Sequence, residues 1–140
     1  MKVFGLDNKE YRLVLKKENG RDCSSGHKLA RLLLKEVFPF DAAYEEVLVP
    51  GCGNNLYLDF VIPTRKIVIE VQGQQHKKPS KFLNGGTTGF KKQLARDNKK
   101  IEWCKQNNLI LVQLDDGHTD KWEKQLRTIF SKTTVDRDTE

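Results

Sequence analysis

Residues 56–72 read LYLDFVIPTRKIVIEVQ, and no other stretch constrains the fold as tightly. Two apolar runs flank Pro63-Thr64-Arg65. Proline fixes its own φ and has no N–H to give to a ladder, so it suits a turn and not a continuing strand. The chain therefore reverses there, and residues 56–62 and 66–71 lie side by side as antiparallel strands. Ile67, Val68, Ile69 and Val71 make the second run nearly continuous in apolar residues, the mark of a central strand covered on both faces. Such a sheet needs a layer on each side, which points to an α/β architecture.

The rest of the chain supplies those layers. Two short apolar-rich runs, 3–6 and 11–16, surround Asp7-Asn8-Lys9 and read as a β-hairpin. Ser24 or Ser25 can cap a helix running to about Phe38, with Leu29, Leu32, Leu33 and Val37 on one face and Pro39 as its stop. Residues 44–49 form a strand that ends at Pro50-Gly51-Cys52-Gly53. After the strand pair comes a long loop, 72–89, containing Gly85-Gly86; loops of that length are usually functional or mobile. A helix over about 90–106 ends at Asn107-Asn108, and residues 109–114 make another buried strand. The last helix, 119–130, sets Trp122, Leu126, Ile129 and Phe130 on one face, before a frayed polar tail. The expected order is hairpin, α, β, β, β, α, β, α: a mixed central β-sheet flanked by helices. The expected divisions are a hairpin appendage over 1–20, a main domain over 21–131 and a flexible tail over 132–140.

Charge narrows the partners. Lys and Arg total 25 against 19 Asp and Glu, a net of +6. Residues 64–105 hold eleven basic and three acidic residues, so the excess sits in this middle segment. A localised basic field points to a polyanion, nucleic acid first; the alternative is a solvated basic face. No run of about 18 apolar residues offers a transmembrane helix. The N-terminus lacks the apolar core of a signal peptide. Cys23, Cys52 and Cys104 form no CxxC pair, which argues against a disulfide framework or a four-cysteine zinc site. The expectation is a soluble protein of a reducing, cytoplasmic compartment.

Acidic residues in the apolar runs carry the chemistry. Asp59 sits among Leu56, Leu58, Phe60 and Ile62, where a carboxylate is costly unless paired or metal-bound. Glu70 sits near the end of the neighbouring strand, so both can converge on one divalent cation with hard oxygen ligands. Gln72 projects to the same strand face as Glu70. His76 follows just past the strand end, placed to take a proton from water or to position it. Asp97 replaces an apolar residue in the helical stripe Phe90, Leu94, Ile101, Cys104, and needs a compensating partner; the alternative is a rim aspartate paired with Lys99 or Lys100. Lys77, Lys78, Lys81, Lys91, Lys92, Arg96, Lys99 and Lys100 surround this set as a phosphate-binding rim.

The Asp59, Glu70-x-Gln72, His76 and Asp97 elements, with Trp103-Cys104 and the strand after Asn107, resemble the PD-(D/E)XK nuclease superfamily over roughly residues 24–115. The branch they resemble is that of very-short-patch-repair-type nucleases and phage homing endonucleases, whose site is named EDxHD. The resemblance implies a restriction-endonuclease-like fold and an Mg²⁺-dependent DNA endonuclease, with Mn²⁺ able to substitute. Asp59 and Glu70 would hold the metal, Gln72 would stand where the usual lysine does, and His76 and Asp97 would complete the catalytic set. Double-stranded DNA is the implied partner, the cytoplasm of a bacterial or phage-infected host cell the implied compartment, and a homo-oligomer is left open. One departure stands out. Relatives carry a first-helix Glu in a Ser-x-Gly-Glu context, where this chain has Ser24-Ser25-Gly26-His27. That change could weaken metal binding, shift the role to Glu45 or Glu46, or accompany loss of activity. The alternatives are therefore a mismatch- or junction-specific nuclease, and an inactive DNA-binding protein with a nuclease fold.

Overall fold

A computed structural model describes residues 1–16, 23–53, 55–73 and 86–134. β1 (Lys2–Phe4) and β2 (Glu10–Arg12) form the N-terminal antiparallel hairpin, with Asn8 at φ 63° in its turn. α1 (Ser25–Val37) follows, then β3 (Tyr44–Leu48), β4 (Tyr57–Ile62) and β5 (Ile67–Gln72). α2 (Gly86–Gln106), β6 (Ile110–Asp115) and α3 (Trp122–Lys132) complete the order. The four-stranded sheet runs β3-β4-β5-β6; the first two pairings are antiparallel and β5 pairs with β6 in parallel. The expected mixed α/β sheet flanked by helices, with an antiparallel hairpin before it, is what forms.

The reversal after β4 is a single 3₁₀ turn, Pro63–Arg65, closed by Lys66 at φ 56°. It registers Ile62 on Ile67 and Phe60 on Ile69. Both faces of the sheet are covered. On one, α1 and α3 pack Ala30, Leu34, Val37, Trp122 and Leu126 against Phe60, Ile62, Ile67, Ile69 and Leu114. On the other, Trp103 and Cys104 of α2 pack with Val3 and Leu13 against Val47, Leu58, Val61 and Val68. The hairpin region thus contributes buried side chains to the second core.

Several boundaries and faces differ from the sequence reading. The buried face of α1 centres on Ala30, Leu34 and Val37, while Leu32 is exposed, because the stripe follows positions 30, 34 and 37 and leaves 32 across the helix. α2 starts at Gly86, four residues before the expected Phe90. Leu94 is exposed, so the expected stripe buries only toward its C-terminal end at Trp103 and Cys104. The final helix divides into a 3₁₀ segment, Asp116–Lys121, and α3. Of the long loop, Gln72 belongs to β5 and residues 86–89 to α2; residues 74–85 lie outside the described residues, as does most of the tail.

Trp103 is fully buried, and its indole Nε1 has no hydrogen-bond partner among the described residues. Its contribution is therefore packing. Trp103→Ala should cost about 3–5 kcal/mol, whereas Trp103→Phe, which gives up no hydrogen bond, should cost clearly less. Urea unfolding of the three proteins checks this order; equal losses would assign the indole N–H a structural role.

Candidate functional site

Side-chain alternation breaks where the carboxylates gather. Val47 and Leu58, opposite one another, face α2, whereas Phe60, opposite Glu45, faces α1. Between these two pairs lie Glu46, at φ 50°, and Asp59. A left-handed backbone residue in a strand turns the pleat over, so both strands change face at this point. The ladder from β4 to β5 runs from Ile62 to Phe60 and does not include Asp59.

Side chains replace the missing ladder bonds. The Asp59 N–H donates to Glu70 Oε2 at 2.7 Å, and the Val71 N–H donates to Asp59 Oδ2 at 2.8 Å. Each carboxylate thereby satisfies an amide of the opposite strand, which an unpaired buried N–H would otherwise make costly. Asp59 and Glu70 are thereby held near one another across the divergence of β4 and β5, close enough for the Asp59 charge to act on Glu70.

Lys100 completes the set. Lys100, Trp103 and Cys104 share one face of α2, since positions three and four apart align on a helix. Packing Trp103 and Cys104 into the sheet brings the Lys100 ammonium to Glu70 Oε1 at 2.5 Å. The sequence reading placed Lys100 in the phosphate rim; its ammonium is instead inside the site, because that helical face is the one turned to the core. Glu70 is 4% exposed. Burial, then the charge of Asp59, raises its pKa to about 7, against the lowering effect of Lys100 and the Asp59 N–H. Burial, with the nearby Glu70 charge, also pushes the Cys104 thiol up to about 12, which keeps it protonated and unreactive.

A second layer comes from α1. Ser24 caps the helix, its Oγ accepting from the His27 N–H at 3.2 Å. Gly26 leaves room for the first turn to approach β5: a Cβ there would stand 3.2 Å from Val71 Cγ1 and 3.0 Å from Asp116 Oδ1. His27 is buried, stacked on Phe60 with centroids 4.4 Å apart. Its Nε2 is 2.7 Å from Glu45 Oε1, and Arg31 donates to both Glu45 oxygens at 2.8 Å. Burial raises the Glu45 pKa, but hydrogen bonds from Arg31 and His27, with their charges, outweigh it and leave it below the ordinary carboxylate range. His27 Nδ1 stands 4.0 Å from Asp59 Oδ1.

Asp59 and Glu70 are brought together. Gln72 ends β5, half-buried, opposite Asp115. Asp97 is half-buried on α2 and accepts from Gln93 Nε2 at 3.2 Å. His76, Lys77, Lys78 and Lys81 lie outside the described residues. Lys91, Lys92 and Arg96 are exposed on α2, and Lys92, Arg96 and Lys99 line a cleft with Asn55 and Ala95. The sequence reading did not anticipate the Glu45–Arg31 pairing behind His27. Its one available signal was the His27/Arg31 spacing of one helical turn.

Among the described residues, no three His, Cys, Asp or Glu side chains are grouped as a ready metal site. Asp59 and Glu70 nevertheless fit a hard divalent ion that keeps several waters, because Mg²⁺ is usually held by only one or two carboxylates. Asp59 Oδ1 makes no hydrogen bond among the described residues, and the raised pKa of Glu70 marks a place where added positive charge is favourable.

No protein-family model matches the chain, and no solved structure matches it. Over 94 residues it is 31% identical to uncharacterized protein 033L of Invertebrate iridescent virus 3, a stretch covering 65% of this chain and 48% of that protein. The chain spans about half the length of the curated relative it matches. No helix among the described residues is long and apolar enough to cross a membrane.

Glu70 gives the fold a pH signature. Its folded pKa of about 7 exceeds the ordinary 4.5, so between those values the folded state holds the extra proton. Without metal, stability should fall by about 3 kcal/mol as pH rises from roughly 4.5 to 7, then level off in this respect. Denaturant unfolding across that range checks it. Glu70→Gln should lose this slope; an unchanged slope in the variant would assign the proton to another group.

Proposed function

We propose that this chain is a metal-dependent DNA endonuclease with a PD-(D/E)XK-like, restriction-endonuclease-like core, of the phage homing or nicking kind. The observation that carries this reading is the pair of neighbouring carboxylates, Asp59 and Glu70, each bonded to an amide of the other's strand where two core strands diverge, next to a basic helix. Acidic ligands within a cationic rim suit a phosphodiester: the rim holds backbone phosphates and the acids hold an ion. A bound Mg²⁺, or Mn²⁺ in its place, supplies a Lewis acid for a phosphoryl oxygen and a more acidic bound water.

The protein's own residues then have separable tasks. Asp59 offers Oδ1, its second oxygen being held by the Val71 amide. Glu70 offers a carboxylate steadied by the Asp59 amide and by Lys100. Lys100 thereby brings a cation to the strand pair where the usual strand lysine is Gln72, and its charge can steady negative charge developing on the phosphate. Gln72 orients a water or ligand on the Glu70 face. His76 serves as base or water-positioning group with Asp97 in support, as the resemblance implies. Lys92, Arg96 and Lys99 recur at helical spacing along one side of α2 and bind phosphates, with Lys91 beside them.

A second reading is a DNA-binding protein that has lost cleavage. It is favoured by the Lys100 ammonium, which already pairs with Glu70.

A supercoiled-plasmid assay separates the two. Nicking should require Mg²⁺ or Mn²⁺, stop in chelator and be abolished by Asp59→Asn, which keeps the volume but loses the charge. DNA retention by the folded variant should persist. Activity surviving in Asp59→Asn would remove the metal reading, and binding without cleavage in the wild type would leave the second reading.

DNA affinity should also be steep in salt, with a log–log slope of about −0.9 per phosphate neutralised. Replacing Lys92, Arg96 and Lys99 together by Gln should flatten that slope. An unchanged slope and affinity would place the DNA surface elsewhere.

A further inference from the structure

We infer that His27 Nδ1 and Asp59 Oδ1 are a donor pair for a divalent first-row transition ion, so that the α1 histidine turns the site's preference away from Mg²⁺. This rests on the reading of Asp59 as a cation ligand and adds a nitrogen donor to it.

The geometry of the ring carries the inference. His27 is 7% exposed, and every degree of freedom of its imidazole is taken up. The backbone is pinned by Ser24 Oγ, the ring plane by stacking on Phe60, and Nε2 by Glu45. Both Glu45 oxygens accept from Arg31, and Oε1 also lies 2.7 Å from Nε2, so Nε2 is the ring nitrogen that donates. In the neutral ring Nδ1 then presents its lone pair. Among the described residues it makes no hydrogen bond, and it faces Asp59 Oδ1 at 4.0 Å. That separation is too long for a hydrogen bond. Two donors bound to one ion at roughly 2.0–2.2 Å and ordinary angles stand about 3–3.6 Å apart, so a shift of about half an ångström to one ångström in the part-exposed Asp59 carboxylate lets the pair share one.

The surroundings fit a ligating histidine. Metal-bound imidazoles commonly donate their other N–H to a carboxylate, which fixes the tautomer and raises ligand basicity. Glu45 is such a carboxylate, and Arg31 holds it by two hydrogen bonds. Imidazole nitrogen suits Fe²⁺, Ni²⁺, Cu²⁺ and Zn²⁺, and Mn²⁺ takes it less readily than these but more readily than Mg²⁺, which favours oxygen. Asp59, Glu70 and His27 leave the other positions to water and substrate oxygen.

Mn²⁺ titrated into the full chain tests the pairing by electron spin resonance. Spin-echo spectra of the bound ion should show coupling to a directly bound ¹⁴N, replaced by ¹⁵N coupling when histidine is ¹⁵N-labelled. The chain has three histidines. The coupling should survive His76→Gln and His118→Gln and vanish in His27→Gln. Glu45→Gln should weaken Mn²⁺ binding by roughly 10–100-fold and leave the Mg²⁺ affinity nearly unchanged, so that Mg²⁺ displaces Mn²⁺ more easily. Should His27→Gln fail to fold, the labelled wild type and the other two variants decide by elimination. Bound Mn²⁺ without nitrogen coupling, or coupling that survives in folded His27→Gln or disappears in either of the other variants, overturns this inference and leaves the two-carboxylate site standing. Absence of any Mn²⁺ binding overturns both.

Discussion

Two carboxylates exchanging hydrogen bonds with the amides of opposite strands hold this molecule's chemistry in place. Where β4 and β5 part, Glu70 takes the Asp59 N–H and Asp59 takes the Val71 N–H. The arrangement solves a backbone problem, since those amides have left the ladder, and creates an electrostatic one, since two acids now stand near one another at the edge of a core. Lys100 offsets part of that second cost, and Glu70 keeps a raised pKa as the remainder. A protein selected only for stability would do better with an apolar pair at such a position. The strain is local, and it sits beside a basic helix face.

The rest of the fold follows from the need to hold that point. The Pro63–Arg65 turn sets the register that leaves Asp59 and Glu70 as the first unladdered pair. α2 packs by Trp103 and Cys104, which delivers Lys100 one turn earlier to Glu70. α1 packs by Ala30 and Leu34, which delivers His27 one turn earlier to Asp59. Both helices thus use apolar residues near the site to place a polar one in it.

Much of this was legible in the sequence. The apolar runs around Pro63 specified a reversed strand pair, and the carboxylates inside them marked the site, because burial there is costly without a partner. Element order could be read from periodicity and turn residues. What could not be read was which helical face turns inward. Lys100 belongs by composition to a run of cations, and only the packing of Trp103 assigns it to Glu70. The α1 stripe looked as if Leu32 belonged to it, whereas Ala30 and Leu34 define the buried line. The face change at Glu46 and Asp59 was also hidden, since a left-handed glutamate leaves no sequence signal. Glu45 meets His27 only because that change turns it toward α1.

The central claim is that Asp59 and Glu70 together form a cation site, and calorimetric titration of Mn²⁺ into the full chain near pH 6.5 tests it most directly. Repeating the titration in buffers of different ionisation enthalpy counts the protons released. The account predicts saturable binding of one ion with release of part of a proton, because Glu70 is partly protonated at that pH and must ionise to ligate. It also predicts that Asp59→Asn loses the binding. Saturable binding retained in folded Asp59→Asn, or no binding by the wild type, would contradict it.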